Sequence, residues 1–215
     1  MNAMKRNPEK RVIKQDRALK TRHDILSSAI ELFARRGILA TTMSELARAI
    51  RMTPGALYWH FPTKEDLLLA AVEELNRQYL DSFQTILDPN NRGPASKQLQ
   101  QFTEHTVRYI HEHREHGIFY GMLGAEAAEN NGPVAAALRD ALAIYVNTVD
   151  AIVRYGQKTK EFRADVDSRT IANAVIFGNI GLIVQQNLFK ETLSYIPMAQ
   201  ANNEMIIAGL MAKKN

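Results

Sequence analysis

The 215-residue sequence has no cysteine, which excludes disulfide staples, thiolate metal sites and thiol catalysis and suits a reducing cytoplasm. It also lacks an unbroken apolar run. The longest charge-free stretch, residues 170–189, is interrupted by Asn173, Asn179, Gln185, Gln186 and Asn187, so it reads as a buried helix and not as a membrane span. Residues 1–20 show no apolar segment behind their basic start; no secretion signal is expected, and the expected location is cytoplasmic. Glycine-rich phosphate loops, the G-x-S-x-G pattern and paired carboxylates in an apolar setting are missing too, so neither a catalytic residue nor a cofactor is expected. Strand-like alternation and internal repeats are not found either.

Charge is present but unevenly shared. Up to Asp66 there are 13 Lys/Arg against 7 Asp/Glu, a net of +6; beyond it 14 stand against 16, a net of −2. A positive end on an otherwise slightly acidic chain points to a polyanion as its partner. Seven of the basic residues lie in residues 1–20, which hold too little apolar surface to offset the entropy of ordering. That segment is expected to be a flexible arm, following a DNA groove or simply solvated.

Helical periodicity starts at Thr21. Ile25, Ala29, Leu32 and Phe33 make one apolar face, and Gly37 is placed to stop that helix. Thr42 with Glu45 three residues on has capping-box spacing, and Met43, Leu46, Ala47 and Ile50 supply the buried stripe of a short second helix. Thr53 caps a third helix opened by Pro54, with Leu57 and Phe61 inward, and Pro62 ends it. Thr63 starts a longer fourth helix with Leu67, Leu68, Ala71, Val72 and Leu75 on its apolar side. A loop is expected over residues 88–96, followed by helices over 98–113, 117–129, 133–158, 168–188 and 196–213.

Two short helices joined by a tight turn, the second capped by Thr-Pro, have the dimensions of a DNA-binding helix-turn-helix over residues 42–61. Gly55 and Ala56 are small enough to bring the start of the second helix close to base edges, where its dipole favours phosphate. In residues 21–74, and most closely in TTMSELARAIRMTPGALYWHFPTKEDLL, the sequence resembles the TetR family of bacterial regulators. The capped second helix, the T-P-G-A-L-Y-W-H-F run and the lysine heading helix four recur together there.

The resemblance implies an all-α fold, with a three-helix DNA-binding domain over residues 21–66 and a larger effector-binding and dimerisation domain over 67–215. It further implies a homodimeric, ligand-responsive regulator, by family habit a repressor, on a pseudo-palindromic operator in double-stranded DNA. A small apolar or amphipathic effector would release it. Carried over residue by residue, Thr42, Thr53, Tyr58, His60 and Lys64 bind phosphate, Gly55, Ala56 and Tyr58 meet bases, Trp59 touches sugar and methyl groups, and Pro54 belongs to the same DNA-binding set. The bland alternatives are that Thr42 and Thr53 only cap helices, that Tyr58 and Trp59 pack on helix one, and that His60 is inert.

An effector site is expected among His105, Tyr109, Phe119, Tyr120, Met122, Leu123, Glu126, Asn147 and Phe177, which mix apolar walls with polar handles, although such residues also make plain core. Residues 170–189, with Gly178 and Gly181 allowing close approach, and Met205, Ile206, Leu210 and Met211 of the last helix are candidates for a dimer seam. The run HEHREH places His111, His113 and His116 together, but its fifth position is Glu115, so the zinc-enzyme pattern fails and no metal is expected. The rival readings are an effector-independent or architectural DNA-binding protein and an enzyme.

Overall fold

The computed structural model describes residues 8–83, 93–127, 132–189 and 193–212. Its helices are α1 (Pro8–Arg36), α2 (Met43–Ala49), α3 (Pro54–His60), α4 (Lys64–Phe83), α5 (Ala95–Glu112), α6 (Arg114–Ala127), α7 (Pro133–Lys158), α8 (Ser168–Leu188) and α9 (Tyr195–Leu210). The class is all-α. Among the described residues extended pairing is confined to one isolated antiparallel bridge between Phe162 and Met211, and no helix is long and apolar enough to cross a membrane. Two compact units, residues 1–71 and 72–215, divide within α4, a few residues beyond the boundary expected after Asp66.

In the first unit, Ile25, Ala29, Leu32 and Phe33 of α1, Leu46 and Ala47 of α2, Leu57 of α3 and Phe61 are buried together with Leu67 and Ala71 of α4. Local chemistry sets each boundary. Gly37, at φ 92°, donates its N–H to the Phe33 carbonyl at 2.8 Å and ends α1. Thr42 and Glu45 form a reciprocal capping box, Thr53 accepts from the Ala56 N–H at 3.2 Å, and Thr63 and Asp66 exchange bonds ahead of α4. Between α2 and α3 the chain turns through Arg51 at φ 56°, and the Met52 N–H reaches back to the Ala47 carbonyl at 2.8 Å. The helix start expected at Thr21 is corrected: α1 begins at Pro8. A helix already nucleated extends at little cost per residue, and proline is at home in its first turn. Residues 1–7 lie outside the described part.

The second unit packs α7 against α8 and α5, with α6 on α8 and α9 on α5. Three expected boundaries shift. α5 begins at Ala95, inside the expected loop, whose residues 88–92 lie outside the described part; α6 begins at Arg114 and not at Gly117; and α9 ends at Leu210. The first and last shifts have one cause, a junction built by residues 161–163. The Glu161 carboxylate accepts the Ala95 N–H at 2.6 Å and the Ser96 N–H at 2.9 Å, as well as the Ser96 hydroxyl, and so caps a helix that has no cap of its own. The Arg163 N–H donates to the Leu210 carbonyl at 2.8 Å and the Ala212 N–H to the Glu161 carbonyl at 2.9 Å, which stops α9.

Burial raises the Glu161 pKa, but its bonds to Ser96 and Ala95 outweigh this and hold the carboxyl below its ordinary value of 4.5. Glu161→Gln is expected to lower unfolding stability by about 1–2 kcal/mol at neutral pH. Because the folded-state pKa is depressed, the wild-type advantage is full above the ordinary carboxylate value and fades as pH falls through the folded one. Denaturant melts of both proteins at pH 7 and in the acid limb check the size and the sign.

Candidate functional site

Helix α3 puts its chemistry on the outside. Leu57 is buried, while Trp59 is 76 % and Tyr58 46 % exposed, and Thr42, Thr53, Pro54 and Gly55 are exposed as well. Ala56, His60 and Lys64 are half-buried. The Trp59 and His60 rings meet edge to face at 4.7 Å, and Tyr58 and Trp59 stand outward as expected and are not packed away from solvent as in the bland alternative. A Cβ added at Gly55 would meet no atom within 4 Å, so this stretch of helix presents bare backbone.

Lys64 has structural work in this unit. Its ammonium donates to the Ile38 carbonyl and stands 5.8 Å from the Phe33 ring centroid, tying the head of α4 to the α1–α2 turn. Arg22 lies over the Phe61 ring at 4.4 Å and fastens α1 to the end of α3. Thr42 and Thr53 do cap their helices, through Glu45 and Ala56.

The second unit holds a cavity of about 70 Å³, walled by Leu75 and Tyr79 of α4, Thr106, Tyr109 and Ile110 of α5, His116, Gly117 and Tyr120 of α6, Leu142 and Tyr145 of α7, and Ile176, Asn179 and Ile180 of α8. None of these thirteen carries a fixed charge. The hydroxyls are tied down: Tyr79 to Thr106 at 2.7 Å, Tyr145 donating to Asn76 Oδ1 at 2.8 Å, and Tyr109 to His116 Nδ1 at 3.1 Å. Burial pushes Tyr79, Tyr109 and Tyr145 well above the usual phenol range and Tyr120 up to about 12, so all four stay neutral at physiological pH. His116 is driven down to about 4, by burial first and then by the neighbouring His113, and is neutral too.

Of the residues expected to bind effector, Tyr109 and Tyr120 line this cavity, while the other seven do not. His105 borders a separate open cleft, where its Nε2 is 2.9 Å from the Ser82 hydroxyl. Phe119 and Leu123 are buried in the core, and Met122 and Glu126 are half-buried. Asn147 is exposed and accepts from Arg169, and Phe177 is 49 % exposed. Helix rotation is the reason. α6 turns His116, Gly117 and Tyr120 to the cavity, and α8 turns Ile176, Asn179 and Ile180 there, which leaves Phe177 on another side.

Tyr79, Thr106, His116, Tyr145 and Asn179 were not expected. Leu75 with Tyr79 and Leu142 with Tyr145 are pairs at helical spacing in which an aromatic with a polar tip interrupts an apolar stripe, and that was the legible signal. His113 and His116 stack at 4.9 Å with 14° between their planes, and among the described residues no group of three potential ligands stands together.

The residues expected as candidates for a dimer seam divide as well. Phe177, Val184, Met205 and Met211 are exposed, but Leu210 faces the core; Gly181 has open space beside it, and Gly178 makes only ordinary contact with Asn202.

Comparison with known proteins bears on both units. Residues 25–71 match the signature described as bacterial regulatory proteins of the tetR family, and residues 95–201 match a tetracyclin repressor-like C-terminal domain. The transcriptional regulator AcrR of Shigella flexneri is 46 % identical over 90 residues, which is 42 % of this chain and 41 % of that protein. The fatty acid metabolism regulator protein of Bacillus subtilis is 23 % identical over 192 residues, covering 88 % of this chain and 95 % of its own length. The chain therefore spans less than half of the first relative's length and nearly all of the second's. Among solved structures, a transcriptional regulator from Saccharomonospora viridis in complex with choline superposes with a TM-score of 0.76 at 24 % identity, over 90 % of this chain and 99 % of that one. The regulator FadR from Bacillus subtilis in complex with stearoyl-CoA superposes with a TM-score of 0.71 at 19 % identity, over 87 % and 98 %. At these identities the two structures speak to the fold alone.

Proposed function

This chain belongs to the TetR family of bacterial regulatory proteins, and from that premise we propose that it is a homodimeric repressor of transcription, set on a pseudo-palindromic operator and released by a small effector. The observation that carries the reading is the exposed face of α3: a capped helix start with bare backbone at Gly55, followed by Tyr58 and Trp59 in solvent. A plain globular surface gains nothing from two exposed aromatics, whereas a DNA groove uses their ring edges, N–H and hydroxyl. Gly55 and Ala56 approach bases, Tyr58 contacts both bases and phosphate, Thr42, Thr53, His60 and Lys64 serve phosphate, and Trp59 packs on sugar and methyl groups. Few of these side chains can make bidentate base contacts, so specificity leans on methyl contacts and DNA shape.

Two such units enter successive major grooves, with half-site centres about 34 Å apart or a simple multiple of that. The dimer forms through the exposed apolar side of α8 and α9, where Phe177 and the 68 % exposed Met205 lie. Selection of bound sequences from a random pool of double-stranded DNA tests the reading; recovery of no preferred palindrome would sink it. Lys64→Ala is expected to weaken operator and random DNA alike and to lower the salt slope of binding by about one. It also loses the tie to Ile38, so the slope, which a mere loss of stability leaves alone, is the quantity to read.

The cavity between α4, α5, α6, α7 and α8 is the effector site in this reading, since it is apolar and supplied with a few oriented polar groups.

A further inference from the structure

We infer that the effector is an uncharged, largely apolar molecule bearing one hydroxyl or N–H donor, and that this donor pairs with Oδ1 of Asn179. The inference rests on the effector reading of the cavity and names the class of compound that the cavity takes.

Asn179 stands in the cavity wall on α8 and is only 2 % exposed. Its Nδ2 donates to the Val175 carbonyl at 2.9 Å, one turn back, and to Asn203 Oδ1 on α9 at 3.3 Å. Those two bonds fix which way the amide faces, and they leave Oδ1 as a buried acceptor with no partner. An amide oxygen so placed is rare, because burying it unpaired forfeits its hydration without return. The neighbouring wall groups are in a different position, since the phenols of Tyr79, Tyr109 and Tyr145 already hold partners. Oδ1 is itself covered, so a ligand that brings a donor to Asn179 as the wall side chains part relieves the unmatched oxygen, and a ligand of the same shape without one leaves it unmatched.

The walls also select on charge. Without Asp, Glu, Lys or Arg in the lining, a carboxylate, phosphate or ammonium on the ligand would be buried with no opposite charge. A carboxylate would in addition face the lone pairs of Oδ1. Tyrosine faces can attract a quaternary ammonium, but the Tyr79 ring is already engaged edge-to-face by Phe83, Tyr109 and Tyr145, so the aromatics pack on one another more than they frame an open cage. Such an ammonium also has no proton to give Asn179. At about 70 Å³ the cavity admits a compact molecule, or a larger one once side chains part.

Isothermal titration of the full-length protein with four naphthalene probes tests this: 1-naphthol, its methyl ether, 1-naphthoate and (1-naphthylmethyl)trimethylammonium. The same titrations are run on Asn179→Leu. Naphthol is expected to bind about tenfold more tightly than its ether to the wild type, and the charged probes more weakly than naphthol. In Asn179→Leu the preference for naphthol over the ether is expected to shrink to about twofold or less. Equal affinities for naphthol and ether in the wild type, or a preference unchanged in the variant, would overturn the pairing with Asn179. Tightest binding of the ammonium or the carboxylate would overturn the uncharged class. If none of the four binds, the effector reading itself fails and this inference goes with it, an outcome distinct from binding without selectivity. Should the variant not fold, the wild-type comparison of naphthol with its ether decides alone.

Discussion

Gly55→Glu is expected to abolish operator binding, by about 100-fold or more, while leaving the protein slightly more stable than the wild type. The two effects have separate origins. A Cβ at position 55 meets nothing within 4 Å, so the fold accommodates the new side chain. Glutamate is a better helix former than glycine by about 0.5 kcal/mol, and in the first turn of α3 its charge is favoured by the helix dipole. On DNA the same side chain holds the helix away from base edges and sets a carboxylate against the phosphates, so both contact and steering are lost. Fluorescence anisotropy on labelled operator and a thermal melt of the same preparation measure the two together. Wild-type affinity in the variant would take the start of α3 out of the interface.

The largest effect on stability is expected at Gly156, where alanine should cost about 3 kcal/mol, on the order of 10 °C in melting temperature. The added methyl carbon would stand 2.3 Å from Phe162 Cδ2 and 2.8 Å from the Ala95 Cβ. Neither neighbour can yield easily. Ala95 begins α5 under the Glu161 cap, and Phe162, fully buried, is held by its N–H bond to the Gly156 carbonyl at 3.0 Å and by its bridge to Met211. Glycine is required at this position for space and not for conformation, since its φ is not positive. Urea melts of Gly156→Ala and of Gly181→Ala make the comparison, because Gly181 has open space beside it and its alanine variant should lose nothing. A Gly156→Ala melt matching the wild type would mean that the loop of residues 159–163 can shift without cost.

The first unit was legible in the sequence almost residue by residue, because its determinants are local. Thr42 with Glu45, Thr53 with Pro54, and Thr63 with Asp66 are start signals separated by three residues or fewer, and Gly37 is a stop signal read by itself. The exposure of Tyr58 and Trp59 follows from helical spacing once Leu57 and Phe61 are assigned inward. What spacing could not supply was Lys64 reaching back 26 positions to the Ile38 carbonyl, or Arg22 lying over the Phe61 ring. Those contacts join elements whose relative angle is a product of packing.

The cavity of the second unit was legible only in kind. Its apolar walls and aromatic handles were anticipated in the central helices, yet only Tyr109 and Tyr120 among the expected residues face it. Each helix offers several stripes, and the choice among them depends on rotation about its axis, which neighbouring helices impose. Asn179 illustrates the gap. In the sequence it is one of several amides that break the apolar run of residues 170–189 and so argue against a membrane; in the structure it is a buried wall residue with an unmatched oxygen.

The sequence by itself determined the all-α class, the helix-turn-helix with its caps and its outward aromatics, and the basic character of the N-terminal end, since each is written in contacts within a few residues or in composition. Tertiary structure alone decided the lining of the second unit's cavity, the Glu161 cap on α5 some 65 residues away, the glycine at 156 and the inward turn of Leu210. These depend on where separate helices meet, and a pattern along one helix holds no record of its rotation against the next.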